Sequence, residues 1–189
     1  MIASHGKGAA SLPLSPHFPL FVSRSAASSP RSSSLSWERR KMVALVSRHG
    51  RSLQRYRAGR RLVVGCIPYK FKIDQALEVL VISSQKGPEL MFPKGGWELD
   101  ETLPAAAARE AFEEAGVRGS FEGELGKWLG EDRDKIHYMF AMRVTEVLQQ
   151  WPEMGRRDRK WVTVAEARQV CKHPWMREAL ERLEELVSS

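Results

Sequence analysis

Three glutamates, Glu110, Glu113 and Glu114, stand close together in the chain, with Arg109 just before them and Glu101 further upstream. On an α-helix, positions i, i+3 and i+4 share one face, with roughly 5–6 Å between Cβ atoms. Three like charges at that range repel unless a strong positive charge sits among them. Surface ion pairs with Arg109 are one source of compensation, but such pairs contribute only about 0–1 kcal/mol each. A divalent cation is the stronger source, because Mg²⁺ takes carboxylate oxygens and completes its octahedron with water and substrate phosphates. Gly95 and Gly96 precede this helix and let the backbone approach a ligand closely, so a main-chain carbonyl at Gly95 can join the coordination. The residue types therefore point to metal-assisted chemistry on a phosphate-containing substrate.

The elements that must position these residues are legible from periodicity. Leu103, Ala107, Ala111 and Ala115 recur at four-residue spacing, Pro104 falls in a first turn, and Gly116 follows where a C-cap belongs, which predicts a helix over Leu103–Ala115. Upstream, Leu62–Tyr69 and Leu77–Ser83 are rich in β-branched and apolar residues and are bounded by turn chemistry, which predicts two strands. Downstream, Gly119–Leu129, His137–Val144 and Lys160–Val164 read as three more. Met176, Leu180, Leu183 and Leu186 form an amphipathic stripe, predicting a closing helix packed on the sheet. This order implies an α/β or α+β sandwich, with helices on both faces of a mixed sheet.

At 189 residues the chain suits one domain. No stretch approaches the roughly 20 consecutive apolar residues that a membrane span requires. Cys66 and Cys171 lack metal-binding or redox spacing and read as reduced packing thiols. The net charge of +7 is very uneven: residues 1–61 hold 12 of the 30 Lys and Arg but only one of the 23 Asp and Glu. The body of the domain is thus mildly acidic, and no aromatic-and-basic stripe supports a nucleic-acid partner. Residues 1–41 contain eleven serines, four prolines and one acid without sustained periodicity, and cannot build a core. They read as a disordered leader or an organellar transit peptide. A basic segment, 42–60, follows, and the folded domain is expected over 61–187. The compartment expected is the mitochondrion or chloroplast if the leader acts as a transit peptide, and otherwise cytoplasm and nucleus.

The stretch Gly95–Val117 also satisfies G-x5-E-x7-R-E-U-x-E-E-x-G-U, with Gly95, Glu101, Arg109, Glu110, Glu113, Glu114 and Gly116 at its fixed positions. In this it resembles the Nudix hydrolases. The resemblance implies a Nudix-type α/β/α sandwich, Mg²⁺ or Mn²⁺ ions, and attack by water on a diphosphate linked to another group. It makes Glu110 and Glu114 metal ligands, and Glu113 a third ligand or the base that activates water. Arg109 and Glu101 would orient the cluster around them.

The flanks bear on the substrate. Gly59–Cys66, the phrase Phe92-Pro93-Lys94-Gly95-Gly96-Trp97-Glu98 and Val144–Leu148 followed by Trp151 and Gly155-Arg156-Arg157 are similar to the diphosphoinositol polyphosphate phosphohydrolase branch, and closest to its plant members. A densely anionic small molecule is therefore the expected partner, with Arg60, Arg61, Lys94, Arg156 and Arg157 as its candidate contacts, since arginine suits phosphate. Diadenosine polyphosphates are the alternative, with Trp97, Tyr138 and Trp151 available as an aromatic clamp. RNA-cap hydrolysis and a non-catalytic inositol phosphate module rank lower, the latter because the box is intact. ADP-ribose hydrolases of the superfamily carry a proline downstream of the box, where this chain reads Gly130-Glu131-Asp132-Arg133.

Overall fold

The computed structural model describes residues 46–48, 50–131, 133–171 and 173–189. The leader at 1–41 lies outside them. In chain order the elements are β1 Tyr56–Arg57, β2 Arg60–Phe71, β3 Leu77–Ser83, β4 Leu90–Met91, β5 Lys94–Gly96, α1 Leu103–Glu110 running into a π-helical turn Ala111–Ala115, β6 Val117–Leu129, β7 Lys135–Val147, β8 Arg159–Thr163, α2 Val164–Val170 and α3 Pro174–Val187.

β2 is the axis of a mixed eight-stranded sheet with the main order β4-β3-β2-β7-β6. It pairs in parallel with β7 from Arg61↔Lys135 to Tyr69↔Arg143. On its other edge β2 starts a hairpin with β3 near Tyr69↔Val79 and then diverges from it. The segment carrying β4 and β5 fills the gap, with β4 on β3 at Ile82↔Met91 and β5 on β2 at Val63↔Gly96. That wedge delivers Gly95 to the middle of the molecule. At Gly65 a Cβ would meet the Pro93 carbonyl at 2.4 Å, so the close approach of β5 requires a glycine there.

Period-two alternation sorts the strand side chains into two cores. Ile67, Tyr69, Val79, Val81, Met139 and Ala141 face α2 and α3, where Met176, Leu180 and Leu183 meet them fully buried. Val64, Cys66, Leu80, Ile82, Phe140 and Met142 face α1 through Ala106, Ala107, Ala111 and Ala115. The α/β/α sandwich with a mixed sheet is thus present. Cys66 and Cys171 are both buried and free, one in each core.

Three departures from the periodic expectation stand out. The helix over Leu103–Ala115 ends as expected, with Gly116 left-handed at φ 61, and the structure adds an N-cap, the Thr102 hydroxyl accepting from the Ala105 amide at 3.3 Å. Its last turn, however, widens to π geometry. Val164 closes no strand; it opens α2, where Thr163 and Glu166 form a reciprocal capping box. β6 and β7 extend beyond the expected ends, and β6 takes bulges near Gly119, Gly123 and Gly126.

Candidate active site

The box residues come together around the β5–α1 loop. Glu110, Glu113 and Glu114 are 6–7% exposed, far more buried than unpaired carboxylates normally are. Arg109 binds them to the loop: its Nε and Nη2 reach the two Glu101 oxygens at 3.0 and 2.7 Å, Nη1 reaches Glu110 at 2.6 Å and Glu113 at 3.5 Å, and Nη2 also reaches the Gly96 carbonyl at 2.9 Å. Glu101 in turn accepts the Glu98 amide at 3.0 Å. A Cβ on Gly95 would lie 2.1 Å from the Glu110 carboxylate, so any larger residue there would push that carboxylate out of its place beside Arg109. Glu114 accepts the Lys94 amide at 2.9 Å and pairs with Arg157, which also donates to Glu153 at 2.7 Å and the Ser83 carbonyl at 2.9 Å.

Electrostatics separates Glu101 from the other three. Burial alone would raise Glu101, but Arg109 and the Glu98 amide overcome it and hold the carboxyl below its ordinary value. Burial pushes Glu110 up, reinforced by the charge of Glu114 and opposed by Arg109. Burial likewise pushes up Glu113 and Glu114, despite Arg109 beside one and Arg157 and Lys94 beside the other. Burial thus outweighs the neighbouring cations at all three carboxyls, and an added positive charge would favour their ionised forms. Among the described residues no three acidic, His or Cys side chains converge on one ion-sized point, the Glu110 and Glu114 oxygens being engaged by Arg109 and Arg157. The donor set is all hard oxygen on a dipeptide-wide glycine cradle, and in that chemistry it fits Mg²⁺ or Mn²⁺.

The cluster opens into a cleft of about 690 Å³, whose lining includes Arg61, Lys94 and Arg157 of the five expected substrate contacts. Arg60 and Arg156 do not line it. Neighbouring strand residues point to opposite faces, and Arg60 turns away to cap the Arg133 carbonyl at 2.9 Å. Arg156 is exposed on the turn before β8. Arg157 is committed to the acids as much as to the cleft. Trp151 is no clamp either, since Arg159 packs over its ring at 3.9 Å while bonding the Ala115, Gly116 and Leu148 carbonyls. Trp97 and Tyr138 do meet, edge to face at 6.3 Å, in a neighbouring pocket that shares Gln54 with the cleft.

Several lining residues escaped the sequence reading. Arg48 pairs with Glu98 and with Asp100 at 3.1 Å, and its amide donates to Glu113 at 3.3 Å. Its signal was available, because it opens the acid-free basic run that ends at Arg61 and could have been matched to the acidic face. His137 and Trp175 also line the cleft. For His137 the signal was an imidazole within the otherwise apolar stretch 136–142 of β7.

Comparison with known proteins agrees with this geometry. Residues 59–183 match the model of the NUDIX domain. Nudix hydrolase 17, mitochondrial, of Arabidopsis thaliana is 56% identical over 159 residues, covering 79% of this chain and 87% of that protein. Other Arabidopsis relatives carry the words mitochondrial or chloroplastic in their names. Diphosphoinositol polyphosphate phosphohydrolase 2 of Rattus norvegicus is 40% identical over 119 residues, covering 60% of this chain and 66% of that protein. The structure of an Ap4A hydrolase of C. elegans aligns with a TM-score of 0.54 at 17% identity, over 68% of this chain and 98% of that one, a likeness of fold alone.

Proposed function

The chain belongs to the Nudix hydrolase family, and on that premise we propose that it is a pyrophosphohydrolase of densely phosphorylated small molecules, diphosphoinositol polyphosphates first. The observation that carries this reading is the pairing, in one cleft, of a buried tri-glutamate cluster with the basic side chains of Arg61 and Lys94. A substrate with several phosphates satisfies both halves; the name of the rat relative supports it.

In this reading Glu110, Glu113 and Glu114, with the Gly95 backbone, hold Mg²⁺ or Mn²⁺. Bound there, a divalent ion supplies charge neutralisation at the leaving phosphate and a more acidic water. Glu113 is either the third ligand or the base that activates water, burial raising its proton affinity while the Arg48 amide and Arg109 hold its two oxygens. Arg109 and Glu101 act as positioning residues, locking the glycine loop to the start of the cluster. Arg61 and Lys94 bind substrate phosphates.

Diadenosine polyphosphates are the second reading, favoured by the pocket of about 410 Å³ that joins Tyr56, Trp97 and Tyr138 beside the cleft. Arg55 lies over the Trp97 ring at 4.4 Å, so an adenine ring would rest on Tyr56 or Tyr138 in this pocket. The hydrolase domain is taken as 61–187, preceded by the basic segment 42–60, which also supplies β1 and the first residue of β2 to the sheet. Residues 1–41 are assigned as a transit peptide to the mitochondrion or chloroplast, in keeping with the names of the plant relatives. A fluorescent fusion of residues 1–41 should enter one of those organelles, and a diffuse cytosolic signal would refute the assignment.

A metal-supplemented substrate panel tests the catalytic reading. Phosphate release from a diphosphoinositol polyphosphate should exceed hydrolysis of diadenosine hexaphosphate, with capped RNA and ADP-ribose slower still. The reverse order of the first two selects the second reading, and activity on ADP-ribose alone overturns both.

A further inference from the structure

The sheet face that packs on α3 changes character along its length. On β7 the inward positions Ala141 and Met139 are core residues, and two further steps bring His137 and Lys135 to the same face. On β2 the matching positions pass from Tyr69 and Ile67 to Val63 and Arg61, with Val63 paired to His137 and Arg61 to Lys135. Here the face leaves the core and becomes a wall of the cleft. An inward-facing histidine at the end of an apolar face has no packing rationale that Met or Leu would not serve better.

His137 is nonetheless built in firmly. It is 5% exposed, and Trp175, from the first turn of α3, lies against its ring at 4.4 Å with 12° between planes. His173 continues the stack on Trp175 at 6.4 Å. The His137 Nδ1 is buried without a hydrogen-bond partner in the protein. Orphaned buried polar atoms are rare because each forgoes its hydration. Burial, then the charges of Lys94 and Lys135, push the imidazole down to about 3, so the ring is neutral with one N–H to donate in cationic surroundings. An anionic oxygen is the acceptor such surroundings favour.

We propose that His137, held face-on by Trp175, is a substrate-binding residue that donates to a phosphate other than the one being cleaved, so that the cleft selects densely phosphorylated ligands over simple diphosphates. The assignment to a second phosphate follows from the layers: the glutamates reach the cleft from α1 on one side of the sheet, while His137 and Trp175 belong to the α3 side. This inference rests on the polyphosphate reading and deepens it.

The His137→Phe substitution keeps a ring on Trp175 and deletes the donor. Inositol hexakisphosphate and inorganic pyrophosphate serve as probes, titrated calorimetrically into the full chain. Affinity for inositol hexakisphosphate should fall about tenfold, the scale of losing one hydrogen bond to a charged group. Affinity for pyrophosphate should not change, and Tm should equal or exceed that of the unaltered chain because an orphaned polar atom has been removed. His137→Gln, which restores an N–H donor, should recover part of the loss. The inference is overturned if inositol hexakisphosphate binds both proteins equally or neither, if both probes weaken together with a drop in Tm, or if His137→Gln recovers nothing. Binding is read without turnover, so a chain that shows the contrast yet hydrolyses neither polyphosphate class would refute the catalytic reading alone.

Discussion

α1 meets the sheet through Ala106, Ala107, Ala111 and Ala115, whereas α3 meets the opposite face through Trp175, Met176, Leu180 and Leu183. Both layers exclude water, but they do so with different tolerances. Large side chains fill volume and can repack, so α3 beyond Trp175, which also lines the cleft, contributes chiefly stability. Alanines fix a short helix-to-sheet distance with nothing to adjust, so α1 sets the position of whatever it carries. It carries the acids: the buried carboxylates among the described residues, Glu98, Glu110, Glu113 and Glu114, all lie on α1, its π-helical turn or the loop leading to it. The layer with the least apolar bulk is thus the one entrusted with the site.

The sharpest way to break this contrast is Glu114→Gln. Turnover should fall about a thousandfold or more, roughly 4 kcal/mol of transition-state stabilisation, with Tm unchanged or raised. Near-normal steady-state rates would remove the cluster from the chemistry. Leu183→Ala should do the opposite, costing about 2–5 kcal/mol of stability in urea denaturation while leaving the rate per folded molecule intact. Ala111→Leu separates the layers more finely. Overpacking should cost only about 1–3 kcal/mol, yet turnover should drop more than the lost stability explains, because the helix is lifted off the sheet. Equal activity per folded molecule in the Leu183 and Ala111 variants would show that the layers do not differ.

The smallest effect is on pH dependence. Burial raises Glu110 from the ordinary 4.5 to about 8, so across that window the folded state holds a proton that the unfolded state has released, and Glu113 and Glu114 are raised in the same direction. Chelator-treated protein should therefore lose stability as pH rises through that window, and Mg²⁺ should flatten the slope. A Tm that rises with pH under chelation would mean that Arg109 and Arg157 already neutralise the cluster.

The two layers also differed in how far they could be read in advance. Four-residue alanine spacing and the Met176–Leu186 stripe located both large helices, although Leu186 itself is exposed, and apolar runs between turns located β2, β3, β6, β7 and β8. β1, β4 and β5 are two or three residues long, too short to carry a period, so the wedge that seats Gly95 was invisible. α2 was missed although Thr163-x-x-Glu166 is a capping box, because the β-branched residues before it favoured a strand. At the site, the box glutamates followed from spacing. Arg60 and Arg61 could not be told apart without knowing which face of β2 turns inward, and Arg48 reaches the acids only through tertiary contact.

The widened turn Ala111–Ala115 has a consequence for insertions and deletions. Each helical residue advances the side chains by about 100°. Removing Phe112 would leave a chain still able to form a regular helix, but with its residues out of phase, carrying Glu113 and Glu114 round the axis relative to Glu110. Exchanging Phe112 for another residue keeps the phase. Over evolutionary time this segment should therefore accept changes of residue at position 112 while rejecting any change of length, as a reading frame does.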